Sequence, residues 1–165
     1  QVKVLSGDAW QGADGWDDVE FLISTNQGEE VRPLSMVASG GELSRIMLGL
    51  KTVLADKDGV GTLIFDEIDA GISGRTAWKV SEKLGVLSKR RQVICITHLP
   101  QIAAMADHHF YIEKKVTGGV TKTSISPLDK KERVSEIARM LGGEEISRAA
   151  LQNAEELMEM AKNSI

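Results

Sequence analysis

Ser39-Gly40-Gly41-Glu42-Leu43-Ser44-Arg45 is the stretch whose reading decides the fold. Two glycines stand directly before apolar residues at helical spacing: Leu43, Ile46, Met47, Leu50 and Leu54. The pattern predicts a helix from about Gly40 to Ala55, with free backbone N–H groups in its first turn. Glycine lets a ligand approach that backbone closely, and the helix dipole favours negative charge there, so the start suits a phosphate. A second reading competes. Ser39 with Glu42 is the S-x-x-E pattern of a capping box, which closes a helix start on itself. The stretch alone does not choose between them.

Working outward, the next signal is Thr62-Leu63-Ile64-Phe65, an apolar run that ends in Asp66-Glu67. An uninterrupted apolar run predicts a strand buried on both faces, as in a parallel sheet. Ligands bind at strand ends in such sheets. A carboxylate there can hold Mg²⁺, directly or through water, and a second can orient and deprotonate an attacking water. An acidic turn after a strand is the plain alternative. Ala77, Val80, Leu84 and Leu87 mark an amphipathic helix that ends in the basic cluster Lys89-Arg90-Arg91. Val93 to Thr97 predicts a second buried strand, followed by His98 and by a helix opening at Pro100. His98 could lie near Glu67 if the two strands are neighbours. Its neutral ring could bond a phosphate oxygen or a water. A structural histidine is the commoner outcome at such a place.

The flanks are less specific. Residues 1 to 34 read as extended structure with a turn at Gly12-Ala13-Asp14-Gly15, and packing is the default role for Trp10 and Trp16. Val19, Phe21 and Ile23 alternate as in a half-buried strand, broken at Asn26-Gln27-Gly28. Val31 to Met36 predicts a short return strand, with Pro33 at an edge. Phe110–Val116 and Val120–Ile125 flank Thr117-Gly118-Gly119 as a hairpin, with His108 and His109 on its first strand. Val134, Ile137, Ala138 and Leu141 predict a helix stopped at Gly142-Gly143. A last helix is expected from about Glu144 to Ala161, with Ile146, Ala150, Leu157 and Ala161 on one face. Strand–helix–strand–helix in the middle defines an α/β layer.

Composition bounds the function. The 165 residues suit one domain, able to bury roughly 70% of its unfolded surface. Net charge is −4, so no overall basic field points to nucleic acid. The densest basic stretch, Lys114 to Arg133, reads as a solvated face. Cys95 is the only cysteine; it lies in an apolar run as a core residue, and a reducing compartment fits. No apolar stretch approaches the ~20 residues of a membrane helix. A G-x-S-x-G hydrolase reading of Gly71-Ile72-Ser73-Gly74 fails, because Arg75 stands where the last glycine belongs.

Taken in order, these motifs resemble the C-terminal lobe of an ABC-type ATPase head. Ser39-Gly40-Gly41-Glu42 looks like the signature motif, and Leu63-Ile64-Phe65-Asp66-Glu67 like Walker B with the catalytic glutamate. Asp69-Ala70-Gly71-Ile72-Ser73-Gly74 looks like the D-loop, and Thr97-His98 like the switch histidine. Transporter heads typically read L-S-G-G-Q and D-E-P-T instead. The wording here, with Thr97-His98-Leu99-Pro100-Gln101-Ile102-Ala103, is similar to the RecN family, the bacterial SMC-like DNA repair ATPases. The likeness continues through Met140-Leu141-Gly142-Gly143 into the Asn153-Ala154 helix, and more loosely over Gly12 to Val37.

The resemblance implies an ATP hydrolase acting in DNA repair and recombination, in the bacterial cytoplasm. It implies nucleotide binding by Ser39, Gly40, Gly41, Glu42 and Asp69, Mg²⁺ at Asp66, and catalysis by Glu67 and His98. Two heads would sandwich two ATP molecules, each signature motif capping the γ-phosphate held by the other head's P-loop. There is one large departure: no G-x-x-x-x-G-K-[ST] occurs in the sequence. In the family that P-loop belongs to an N-terminal lobe across a coiled coil. The expectation is therefore a single unit over residues 1–165, the C-terminal half of a head, opening at Gln1 after the coiled coil. Its partners would be the P-loop lobe, a second head and DNA. Another SMC-like or transporter head, a docking lobe that has lost catalysis, and an unrelated metal hydrolase using Asp66, Glu67 and His98 are the rival readings.

Overall fold

In a computed structural model of the chain, residues 1–7, 12–13, 15–24, 28–36, 39–54, 59–143 and 145–164 are described. Trp10, Asn26, Gln27, Val37, Ala38, Ala55 and Glu144 lie outside them. The centre is a parallel pair of strands, β4 (Thr62–Phe65) and β5 (Gln92–Cys95), in register from Thr62 opposite Gln92 to Phe65 opposite Cys95. Helix α2 (Gly74–Ser88) crosses between them and buries Ala77, Val80, Leu84 and Leu87, the face its periodicity predicts. Leu48, Leu63, Phe65, Ile68, Val80, Leu84, Leu87 and Ile102 form one core. Burying a side chain such as Leu87 contributes about 1.5–3 kcal/mol.

The strands were expected to be buried on both faces, and one face is open. Leu63 and Phe65 point into the core, while Ile64 is 68% exposed, with Ile94 and Ile96 also exposed. A short apolar run carries no information about which face will be covered. Helix α1 (Gly40–Val53) differs from expectation in a similar way. Gly41 and Leu48 are its buried residues, whereas Leu43, Met47, Leu50 and Leu54 lie open on the predicted stripe. The turn after β4 and its hydrogen bonds draw the Gly41-Ser44-Arg45 side inward, and the apolar stripe faces away.

A second core is built from α3 (Pro100–Met105), α4 (Lys130–Gly142) and α5 (Arg148–Asn163). Its members are mostly small: Ala103, Ala104, Ile137, Ala138, Ala150, Ala154, Met158 and Ala161. Small contact residues let helix axes approach closely. Helix α4 opens with a full capping box between Asp129 and Glu132 and stops at Gly143, whose φ is 86°. Helix α5 starts at Arg148 rather than near Glu144, because Ser147 accepts a hydrogen bond from Ala150 N as its cap. Ile146 therefore precedes the helix.

The flanking strands match in kind and differ in detail. Strands β1 (Val2–Ser6), β2 (Asp17–Ile23) and β3 (Arg32–Pro33) form an antiparallel sheet in that order. The return strand is only β3, with Pro33 on the edge; Leu34–Met36 turn as a 3-10 helix. Val2 and Val4 pair with Phe21 and Val19, and all four side chains are exposed, as is Trp16. Strands β6 (Phe110–Thr117) and β7 (Val120–Pro127) form the predicted hairpin. Gly118 and Gly119, at φ 60° and 78°, make its two-residue turn. His108 and His109 precede β6 instead of lying on it.

Candidate functional site

The site lies where β4, β5 and the start of α1 meet. Because β4 and β5 are parallel neighbours, Asp66-Glu67 and Thr97-His98 emerge at the same sheet edge. Helix α1 is tied to that edge by its own side chains. Ser44 Oγ donates to the Asp66 carbonyl at 2.8 Å. Arg45 Nη1 donates to the carbonyls of Ile68 at 3.1 Å and Ala70 at 2.8 Å. The motif resemblance assigns neither Ser44 nor Arg45 a role. A polar residue pair one turn into an apolar-periodic helix was the available signal.

The two glycines have an internal reason as well as an external one. A Cβ on Gly41 would stand 2.9 Å from the Glu67 carbonyl oxygen and 2.9 Å from Ala70 Cβ. A Cβ on Gly40 would collide with Glu67 Oε2. The helix start therefore packs on its own Asp66–Ala70 turn, and Glu67's carboxylate lies against Gly40. Gly41→Ala is expected to push that turn away and cost about 1–3 kcal/mol, the scale of overpacking a tight site. Chemical denaturation would measure it, and an unchanged midpoint would contradict the packing. Ser39 Oγ accepts from Glu42 N at 3.3 Å, so the cap reading of the helix start has a geometric basis.

Glu67 is the described non-glycine residue with positive φ, at 56°. A left-handed conformation there costs on the order of 1–3 kcal/mol and persists only when its surroundings over-determine it. Here they do. Glu67 N donates to Asp66 Oδ1 at 2.9 Å, and Glu67 O accepts from Ala70 N at 3.0 Å. The Ser44 and Arg45 bonds hold the residues on either side. The effect is to present Glu67's carboxylate outward, next to the signature-like helix start.

Asp69 turns the other way. It is 4% exposed, and its Oδ2 accepts from Thr97 Oγ at 2.6 Å and His98 N at 2.8 Å. His98 Nδ1 lies 2.9 Å from the same oxygen. Burial alone would raise Asp69's pKa. The Thr97 hydroxyl, the His98 N–H and the His98 ring outweigh it, and the carboxyl is held below its ordinary value. The His98 side chain is 73% exposed, so its other edge faces outward. His98 thus contacts Asp69, and the neighbouring strands bring it to the same sheet edge as Glu67. Cys95 sits beneath, its thiol pushed up to about 12 by burial, with Asp69 and Asp66 adding to the effect. That leaves it a protonated core residue.

Among the described residues, no group of three or more His, Cys, Asp or Glu side chains could hold a metal. Asp66 is one exposed carboxylate with Oδ1 engaged by Glu67 N. That suits Mg²⁺, which keeps several waters and takes one or two carboxylates plus phosphate oxygens; it does not suit a metal caged by protein alone. Two grooves of about 430 and 790 Å³ lie among α2–α5 and the hairpin, and no motif residue lines either. Ser39, Gly40, Asp66, Glu67 and His98 are instead exposed.

Such an α/β lobe belongs to a recognisable class. It superposes with a TM-score of 0.50 on a chain from work on ATP-driven dimerization and DNA-stimulated activation of SMC ATPases, covering 85% of this chain and 80% of that one at 21% identity. The likeness is one of fold. At the level of sequence, the chain is related to DNA repair protein RecN. It is 53% identical over 148 residues to that of Halalkalibacterium halodurans, 56% over 147 to that of Treponema pallidum, and 51% over 147 to that of Bacillus subtilis. These matches take in 89–90% of this chain, which spans 26% of the length of each relative. No protein-family model matches it. No helix among the described residues is long and apolar enough to cross a membrane.

Proposed function

We propose that this chain is the C-terminal lobe of an ATPase head in a RecN-type DNA repair protein, and that it supplies one half of a composite ATP site. The observation that carries the reading is the packing of Gly40 and Gly41 on Glu67 and Ala70. It brings a helix start suited to phosphate and an outward carboxylate to one open surface. Ser39 and the N–H groups of Gly40 and Gly41 would meet the γ-phosphate held by a facing head's P-loop, with Glu42 supporting the helix start. Within its own head, Asp66 would serve Mg²⁺, which neutralises phosphate charge when bound. Glu67 would polarise the attacking water and His98 would meet the water or the γ-phosphate. Asp69, given by the resemblance as nucleotide-binding, is turned inward and fits a supporting role better.

The partners follow from what this surface leaves open. A closed α/β layer covers both faces of a parallel sheet. Here Ile64, Ile94 and Ile96 are exposed on one face, and Val2, Val4, Val19 and Phe21 on the antiparallel sheet. Those faces suit a P-loop lobe of the same protein. ATP would close two heads and hydrolysis would open them, changing how the complete molecule holds DNA in double-strand-break repair in the bacterial cytoplasm. This chain alone is then expected to bind ATP very weakly and hydrolyse none. Calorimetric titration tests it: sub-micromolar affinity for the chain alone would overturn the composite reading, and added P-loop lobe should restore binding.

A further inference from the structure

The geometry at Asp69 carries an inference about His98. Asp69 Oδ2 already accepts from two groups that can only be satisfied as donors there: the Thr97 hydroxyl, which itself accepts from Leu99 N at 3.0 Å, and the His98 backbone N–H. His98 Nδ1 approaches the same oxygen at 2.9 Å. A lone pair on Nδ1 would face a carboxylate oxygen across hydrogen-bond distance, which is repulsive; a proton on Nδ1 makes a third bond. The bond made by one ring nitrogen fixes what the other presents.

We propose that Asp69 is a positioning residue that locks His98 in its Nδ1–H tautomer, so that the neutral ring offers a lone pair, not an N–H, on its exposed edge. Resting on the composite-site reading, this separates two roles for His98. The neutral ring accepts a hydrogen bond from a water at Nε2 and so orients it. A fully ionised phosphate oxygen has no proton to give, so His98 meets it only as the imidazolium, after taking up a proton. Asp69 also ties the loop after β4 to the loop after β5, so the water-facing histidine and the Glu67 turn move as one unit. Thr97 belongs to the device, since its hydroxyl links Asp69 to Leu99, the N-cap of α3.

The test reads the tautomer directly and needs no nucleotide. Long-range ¹H–¹⁵N correlation spectra of the imidazole, recorded on the ¹⁵N-labelled chain in alkaline buffer, distinguish a protonated Nδ1 from a protonated Nε2. The wild-type chain is expected to carry the proton on Nδ1, and Asp69→Ala to move it to Nε2, the form favoured by an unconstrained imidazole. Asp69→Asn keeps an acceptor in place without the charge and should raise the Nε2–H fraction at most part of the way. A wild-type ring protonated at Nε2, which needs no variant to fold, or a folded alanine variant with an unchanged tautomer ratio, overturns the proposal. In the complete protein, Asp69→Asn should lower hydrolysis by about ten- to a hundredfold, the usual scale for losing an orienting partner. Combined with His98→Ala, it should add nothing further. A tautomer that responds while hydrolysis does not would leave the Asp69–His98 lock standing and count against the role given to His98 in ATP turnover.

Discussion

Glu67→Gln in the complete protein is expected to retain ATP binding and to lose turnover by about 10²-fold or more, the usual scale for a general base. The amide has the shape of the carboxylate, so it can keep the place against Gly40 and the left-handed backbone that the Ser44 and Arg45 bonds impose. What it cannot do is take a proton. Heads carrying the substitution should close on ATP and remain closed, which size-exclusion chromatography with ATP and Mg²⁺ would register as a lasting dimer. Hydrolysis near the wild-type rate would remove Glu67 from the role of base. Asp66 or His98 would then be the groups to examine.

The sequence carried much of this site because its parts are local. Helix α2 is amphipathic at a period that tertiary structure has no reason to override, and its four expected residues are buried. The hairpin turn needs two left-handed residues, and Gly118-Gly119 can supply them. The order of the motifs put Asp66-Glu67 and Thr97-His98 after two apolar strands, and the parallel pairing of those strands brings them to one sheet edge. What the sequence could not carry was direction. Nothing in the run Leu63-Ile64-Phe65 says which face will be open, because an apolar run looks the same from either side. Leu43, Met47 and Leu50 have helical spacing whether or not anything covers them. Asp69 and Asp66 are both acidic residues of one turn. Only the donors at Thr97 and His98, far along the chain, turn the first inward while the second stays exposed. Likewise, Gly41 was legible as a position of close approach, and in this chain the Glu67 carbonyl and the Ala70 side chain make that approach.

Ser39 gives the sharpest separation between a helix that only caps itself and one that meets a facing head. Its hydroxyl accepts from Glu42 N, and if that is all it does, Ser39→Ala should cost about 1 kcal/mol of stability and leave activity alone. If Ser39 meets the γ-phosphate of a facing head, the loss should fall on ATP-driven head association, and a larger substituent should be worse than alanine. Ser39→Arg is the stronger lesion. Ser39 is exposed, so the fold should tolerate the long side chain, which would then occupy the space the phosphate must enter. The decisive measurement mixes two mutant heads. One carries Ser39→Arg with an intact P-loop; the other has a broken P-loop with Ser39 intact. Composite sites pair one head's P-loop with the other's signature motif. In a mixed dimer both lesions therefore fall in one site, and the other site carries neither. Each mutant alone should be inactive, and the mixture should recover part of the wild-type hydrolysis. If mixed dimers form and no hydrolysis returns, Ser39 acts within its own head, and the surface around Gly40 and Glu67 is not half of a shared site.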